Sequence, residues 1–178
     1  MNDLIIRNEE PNDRELVRAV NERAFGSNPE ADLVDRLRKA CDEQLSFVAV
    51  IDQQIVGHIL FTPAVASTSV AESEPSEIKG MGLAPLAVLP DFQNQGIGTA
   101  LVRFGIDRVR TKGFPFIIVV GHPNYYPRFG FEQASSYGLR CQYEEVPDEA
   151  FMILALDPRT VQQMKGVVKY RPEFDDAI

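Results

Sequence analysis

Apolar residues follow two rhythms along this chain, and the places where the rhythm changes mark its elements. "LIIRN", residues 4–8, is a short apolar run that predicts a first strand. Between Asn12 and Phe25 the spacing turns helical. Leu16, Val17, Val20 and Phe25 share one face, Asn12 is placed as the N-cap, and Gly26 is placed as the stop. Residues 29–40 repeat the pattern with Leu33, Val34 and Leu37, opened by Pro29. Residues 45–52 and 53–67 read as two strands joined by a tight turn at Asp52-Gln53. Thr68 to Ser76, rich in Ser, Glu and Ala, reads as an exposed hairpin loop. The next strand, residues 78–90, contains Gly82 and Pro85. Proline has no N–H for the ladder, so a bulge or splay is expected there.

A helix follows over 96–112, with Ile97, Leu101, Phe104, Ile106 and Val109 as its stripe and Gly113 at its end. "FPFIIVVG" is apolar enough for a buried strand. "HPNYYPRFGFEQ" holds one or two helical turns before a strand opening at Phe131, and "AFMILALD" is another strand. The tail reads as a short helix and a last extended piece. With no repeat and no linker, the order predicts one mixed α/β domain over 1–178.

Composition narrows the function classes. The 178 residues are 44% hydrophobic and 25% charged, a soluble globular balance. No apolar run is long enough to cross a bilayer, so no membrane partner is expected. The net charge of −8 argues against nucleic acid, whose binders cluster Lys and Arg against phosphate, and tilts weakly toward a cationic acceptor. The N-terminus has no basic and apolar leader pattern, and Cys41 and Cys141 make no disulfide framework. A cytoplasmic setting is the expectation. His58 and His122 lack neighbours at metal-ligand spacing, so no metal is expected.

The candidate chemistry gathers in "LAVLPDFQNQGIGTALVRFG", residues 86–105, where a strand passes through two glycines into a helix. A dinucleotide fingerprint would need a third small residue where Leu101 stands, and an acid after the next strand, where "FIIVVGHP" has none. A nucleoside-triphosphate loop would need Gly-Lys-Ser/Thr, which is absent. Gln-x-x-Gly-x-Gly, built from Gln93, Gly96 and Gly98, does fit anion binding. First-turn N–H groups lack intrahelical acceptors, and the helix dipole favours negative charge. The plainer alternative is a helix start that uses glycine only to pack on the sheet.

"PLAVLPDFQNQGIGTALV" and, downstream, "YYPRFGF" together resemble two motifs of the GCN5-related N-acetyltransferase (GNAT) superfamily, in particular its small bacterial acetyltransferases. Their order, with one helix and one strand between them, also matches. The resemblance implies an α/β fold whose central, mostly antiparallel sheet has a splayed strand pair and is flanked by helices. It implies acetyl-CoA as co-substrate, and an amine of a small molecule or a protein as acceptor. The alternative is a non-catalytic acyl-CoA sensor or interaction domain of the same fold. A homodimer is compatible with either.

The resemblance also distributes roles. Backbone groups of Leu86, Ala87 and Val88 would pair with the pantetheine amides, with an N–H near Leu86 or Ala87 polarising the thioester carbonyl. Gln93 opens the motif, or else faces solvent at a turn. Asn94, Gln95, Gly96, Ile97, Gly98 and Thr99 would cradle the pyrophosphate. Tyr126 aligns with the family's general acid; the alternative is an aromatic packed on the sheet edge, the role given to Tyr125. A tyrosine with pKa near ~10 stays protonated at neutral pH and can donate to a departing thiolate. "GHPNYYP" is shorter than the family pattern, so Asn124 is not mapped to a CoA contact, and Arg128 reads as an exposed arginine. No motif marks a base; Glu22, Glu77 and Glu132 are candidates in name only. An acyl-cysteine route through Cys141 and His122 is disfavoured for want of an orienting acid.

Overall fold

Turns and register decide how this chain folds, and most of the turn signals act where the sequence places them. The computed structural model describes residues 3–68 and 76–177. The hairpin loop expected between Thr68 and Ser76 therefore lies largely outside the described residues. In chain order the strands are β1 (Ile5–Asn8), β2 (Leu45–Ile51), β3 (Gln54–Thr68), β4 (Glu77–Val88), β5 (Phe116–Val120), β6 (Glu132–Gln133), β7 (Leu139–Cys141), β8 (Phe151–Ala155) and β9 (Met164–Lys169). The helices are α1 (Arg14–Phe25), α2 (Pro29–Ala40), α3 (Ile97–Thr111) and α4 (Pro158–Val161). The sheet is mostly antiparallel, with parallel pairing only for β4 with β5 and β7 with β9 among the printed registers.

The chain divides into two compact units, and β3, β4 and α3 each contribute to both. In the first unit (residues 1–62, 84–107 and 173–177) β1, β2 and the leading half of β3 form an antiparallel ladder. Asp52 and Gln53 turn β2 into β3 with φ of 48° and 65°, the left-handed pair that a two-residue hairpin requires. Alternation along β3 then assigns its two faces. His58 meets α1 through Asn21, whereas Phe61 lies against Gly105 of α3, where an added Cβ would sit 2.3 Å from the ring. Helices thus cover both faces of this ladder. Phe47 meets Phe104 edge-on at 5.1 Å between centroids.

Two details of α1 depart from the sequence reading. The helix begins at Arg14, after a 3-10 turn at Pro11–Asp13, so Asn12 is not its N-cap. Asp13 holds the entry instead, accepting from Arg7 at 2.6 and 3.0 Å and from the Glu10 N–H at 2.7 Å. The buried face is Val17, Val20 and Asn21, while Leu16 and Phe25 are exposed.

Asn21 starts a directed network. Its Nδ2 donates to the Val17 carbonyl (2.9 Å) and to His58 Nδ1 (3.1 Å), so the His58 proton sits on Nε2. Nε2 donates to Ser46 Oγ at 3.0 Å, Ser46 donates to Glu9, and Glu9 pairs with Arg38 at 2.5 Å. Burial, with the Arg38 charge adding to it, lowers the His58 pKa to about 3 and keeps the ring neutral.

In the second unit (residues 63–83, 108–172 and 178) β4 pairs in parallel with β5, β5 pairs with β8, and β8 with β6. The far end of β3 pairs with β9, and β9 with β7. Phe116, Ile117, Ile118 and Val119 are all at most 1% exposed, as their unbroken apolar run requires. β7 has only three residues and no alternation to announce it.

Candidate active site

The β4–β5 ladder runs Met81–Ile117, Gly82–Ile118, Leu83–Val119 and goes no further. β4 itself continues to Val88, past a cis peptide between Ala84 and Pro85. The irregularity expected at Gly82 and Pro85 is therefore present as the end of pairing. In this last stretch Pro85, Ala87 and Leu89 are buried, and Leu86 and Val88 are half-buried. The Leu89 N–H donates to the Val56 carbonyl of β3 at 2.9 Å. A strand residue sends its N–H and C=O to the same side, so Ala87 and Leu89 spend theirs toward β3. The backbone groups of Leu86 and Val88 turn to the opposite edge.

A corner joins this edge to α3. Pro90–Phe92 form one 3-10 turn, Asn94 takes φ 59° and Gly96 takes φ 84°. Gln93 Nε2 donates to the Val88 carbonyl at 2.9 Å, and Gln95 Nε2 donates to the Asp91 carbonyl at 3.0 Å. Both glutamines brace the corner with their amides while remaining exposed. The helical ladder opens with Ala100 N–H to Gly96 C=O at 2.9 Å. Helical geometry therefore leaves the N–H groups of Ile97, Gly98 and Thr99 without intrahelical acceptors. A Cβ at Gly96 would meet no atom within 4 Å, so open space lies over this end, and its left-handed φ favours glycine. Ile97 is buried and anchors the turn; Gly98 and Thr99 are half-buried. Leu86 to Thr99 thus form one strand–turn–helix corner of the first unit.

Tyr126 belongs to the second unit, opening a 3-10 turn at Tyr126–Phe129 that ends on Gly130 with φ 93°. It is only 8% exposed. Its ring lies against Gly121, where an added Cβ would stand 2.3 Å from Cε2, and edge-on to Tyr125 and Phe131 at 5.1 and 5.6 Å. Burial, then the neighbouring Tyr125, pushes its hydroxyl well above the ordinary tyrosine value, so it carries its proton throughout the neutral range. Gly121 was invisible as a functional position because a glycine ending a strand has many uses. Tyr125 packs on Phe129 at 5.4 Å and carries Arg128 over its ring at 4.5 Å. Arg128 is exposed, and Nε also donates to the Tyr125 carbonyl.

The remaining candidates separate by environment. Glu22 pairs with Arg18 at 2.9 Å, and Glu132 accepts from Tyr137 at 2.8 Å. Glu77 is exposed. Burial raises the Cys141 thiol, the wrong direction for a nucleophile.

Residues 14–131 match the model of the acetyltransferase (GNAT) family. The chain is 32% identical over 173 residues to the uncharacterized N-acetyltransferase YhbS of Escherichia coli K12, covering 97% of this chain and 99% of the relative. It is 39% identical over 151 residues to the uncharacterized N-acetyltransferase YjhQ of the same organism, covering 83% and 80%. The crystal structure of YhbS in complex with CoA superposes with a TM-score of 0.87 at 31% identity, covering 98% and 93%. A GNAT acetyltransferase from Brucella melitensis, in complex with acetyl-CoA, gives 0.75 at 34% identity, covering 98% and 100%. A strand freed from its neighbour, a glycine corner feeding a helix and a buried tyrosine are the parts this family uses. The chain belongs to the acetyltransferase (GNAT) family.

Proposed function

We propose that this protein is an acetyl-CoA-dependent N-acetyltransferase that acts by direct attack of an amine on the thioester, and that residues 1–178 work as one such domain. The observation that carries the reading is the corner at 86–99. It presents outward-turned strand amides followed by uncommitted helix N–H groups beneath open space. That donor set fits CoA: amides for the pantetheine arm, N–H groups and a helix N-terminus for the pyrophosphate. It needs no lysine, which suits a chain of net charge −8. CoA and acetyl-CoA in the two similar crystal structures support the same assignment.

Within this reading Leu86 and Val88 are the strand residues that pair with the arm, and strand alternation favours the Leu86 N–H over that of Ala87 for polarising the carbonyl. Gln93 acts as a brace on the Val88 carbonyl. Asn94 to Thr99 hold the pyrophosphate, with Ile97, Gly98 and Thr99 supplying the N–H groups. As the amine forms its C–N bond and the C–S bond breaks, Tyr126 gives its proton to the departing sulfur. Its raised pKa secures the protonated state that this role requires. Such a donor contributes roughly 10²–10⁴-fold. The acceptor is a small-molecule amine or a protein amino group, and we place the reaction in the cytoplasm.

The test is release of free thiol from acetyl-CoA, measured across a panel of small amines and peptides. Acetylated product appearing with the thiol is the expected result. Absence of turnover with every acceptor and with longer acyl donors would refute the enzymatic reading.

A further inference from the structure

A cavity of about 440 Å³ lies in the second unit, away from the glycine corner in sequence. Its volume falls in the range of small-molecule sites. β7 and β9 run parallel with Arg140 opposite Val167 and Cys141 opposite Val168. With a period of two, Arg140, Gln142, Val167 and Lys169 share one face of this pair and line the cavity. Leu139 and Val168 bury the opposite face completely, which fixes the register.

The polar lining is orderly. Gln142 Oε1 accepts from the Tyr170 N–H at 2.6 Å, which turns its amide NH₂ away from the strand. Arg140 and Lys169 add two exposed cationic heads, and Tyr143 adds a hydroxyl. Glu144 and Asp148 supply the opposite sign from the loop after β7, with Asp148 oriented by the Ser135 hydroxyl at 2.8 Å. Both signs line one small cavity, so it complements a molecule that carries both.

Tyr170 ties this cavity to the proposed acid. It directly follows Lys169, and its ring fills the space over Gly82, where an added Cβ would come within 2.5 Å of Cε1. It is electrostatically coupled to Cys141 and Tyr143 of the lining and also to Tyr126.

Resting on the acetyltransferase reading, we propose that this cavity selects the acceptor, and that the acceptor is a small amino-carboxylate whose carboxylate is held by Arg140, Lys169 and the Gln142 amide. This replaces the expectation of a simple cation drawn from net charge, because the local donor set outweighs the bulk balance.

The test compares β-alanine, 4-aminobutyrate and lysine with their carboxamides as acceptors, read by thiol release from acetyl-CoA. The expected result is at least a tenfold higher kcat/KM for the carboxylates. Arg140→Gln and Lys169→Gln, alone and together, should bring that preference to within about twofold of unity through a higher KM, with acetyl-CoA affinity held. Equal turnover of acids and amides, or variants that keep the preference, overturns the inference while leaving the acetyltransferase reading intact. If no amine turns over, calorimetry of the same compounds on the CoA-loaded protein decides. Binding of the acids that the double variant abolishes supports the cavity, although the enzymatic reading then fails. No binding, or binding that the variant retains, overturns the inference.

Discussion

Gly121→Ala tests the placement of Tyr126 without touching its hydroxyl. The added Cβ would stand 2.3 Å from Cε2 and 2.9 Å from Cδ2 of the ring, about 1 Å inside the ordinary contact limit of 3.4 Å. The ring is held on its other sides by Tyr125, Phe129 and Phe131, so it cannot yield locally and must move with its turn. Overpacking of this kind costs about 1–3 kcal/mol, which corresponds to roughly 2–10 °C in Tm for a chain of this size. A misplacement of ~1 Å in a catalytic group costs on the order of 10²-fold in rate. Steady-state thiol release should therefore show kcat lowered by about 10–10²-fold, with acetyl-CoA affinity by calorimetry within about twofold of wild type. In a Tyr126→Phe background the same substitution should lower kcat only slightly further, because the hydroxyl it displaces is already gone. Wild-type kcat in Gly121→Ala, or full additivity of the two losses, would refute the reasoning.

Further outcomes follow from the first unit. His58 has its folded pKa lowered to about 3 from an unfolded value near 6.5, so the unfolded chain binds the extra proton between these values. Its contribution is whole above pH ~6.5 and is lost as pH falls toward 3, at up to ~1.4 kcal/mol per pH unit. Urea titrations of His58→Gln should show a shallower acid slope than wild type between pH 6 and 4; an unchanged slope would remove His58 as the cause. Glu9, Arg38 and Asp35 share that network and are left in place by the variant. Gly96→Ala forces a Cβ onto φ 84°, at a cost of roughly 1 kcal/mol, and should weaken acetyl-CoA binding about tenfold; calorimetry showing unaltered affinity would free this corner of its assigned role.

Much of this was legible in the sequence because local chemistry and fold agreed. Asp52-Gln53 made its turn, Gly26 and Gly113 ended their helices with left-handed φ, and Pro85 marked where β4 leaves β5. What escaped notice depended on contacts between distant segments. Asn12 lost the cap to Asp13, which Arg7 holds across six residues. Leu16 and Phe25 looked like core, but α1 is rotated so that Asn21 reaches His58 instead. β7 is too short to carry a period, and its pairing with β9 gathers Arg140, Gln142 and Lys169 from segments some 28 residues apart. Gly121 marks a close approach, and nothing in its neighbours along the chain reveals the ring beside it.

Tyr126→Phe, assayed with acetyl-CoA and the best acceptor from the panel, bears most directly on the proposed chemistry. Removing the hydroxyl leaves the ring contacts in place, so Tm and acetyl-CoA affinity should stay close to wild type. The expected result is a fall in kcat of about 10²–10⁴-fold. Turnover equal to wild type, with acetyl-CoA still bound, would contradict the assignment of Tyr126 as the proton donor.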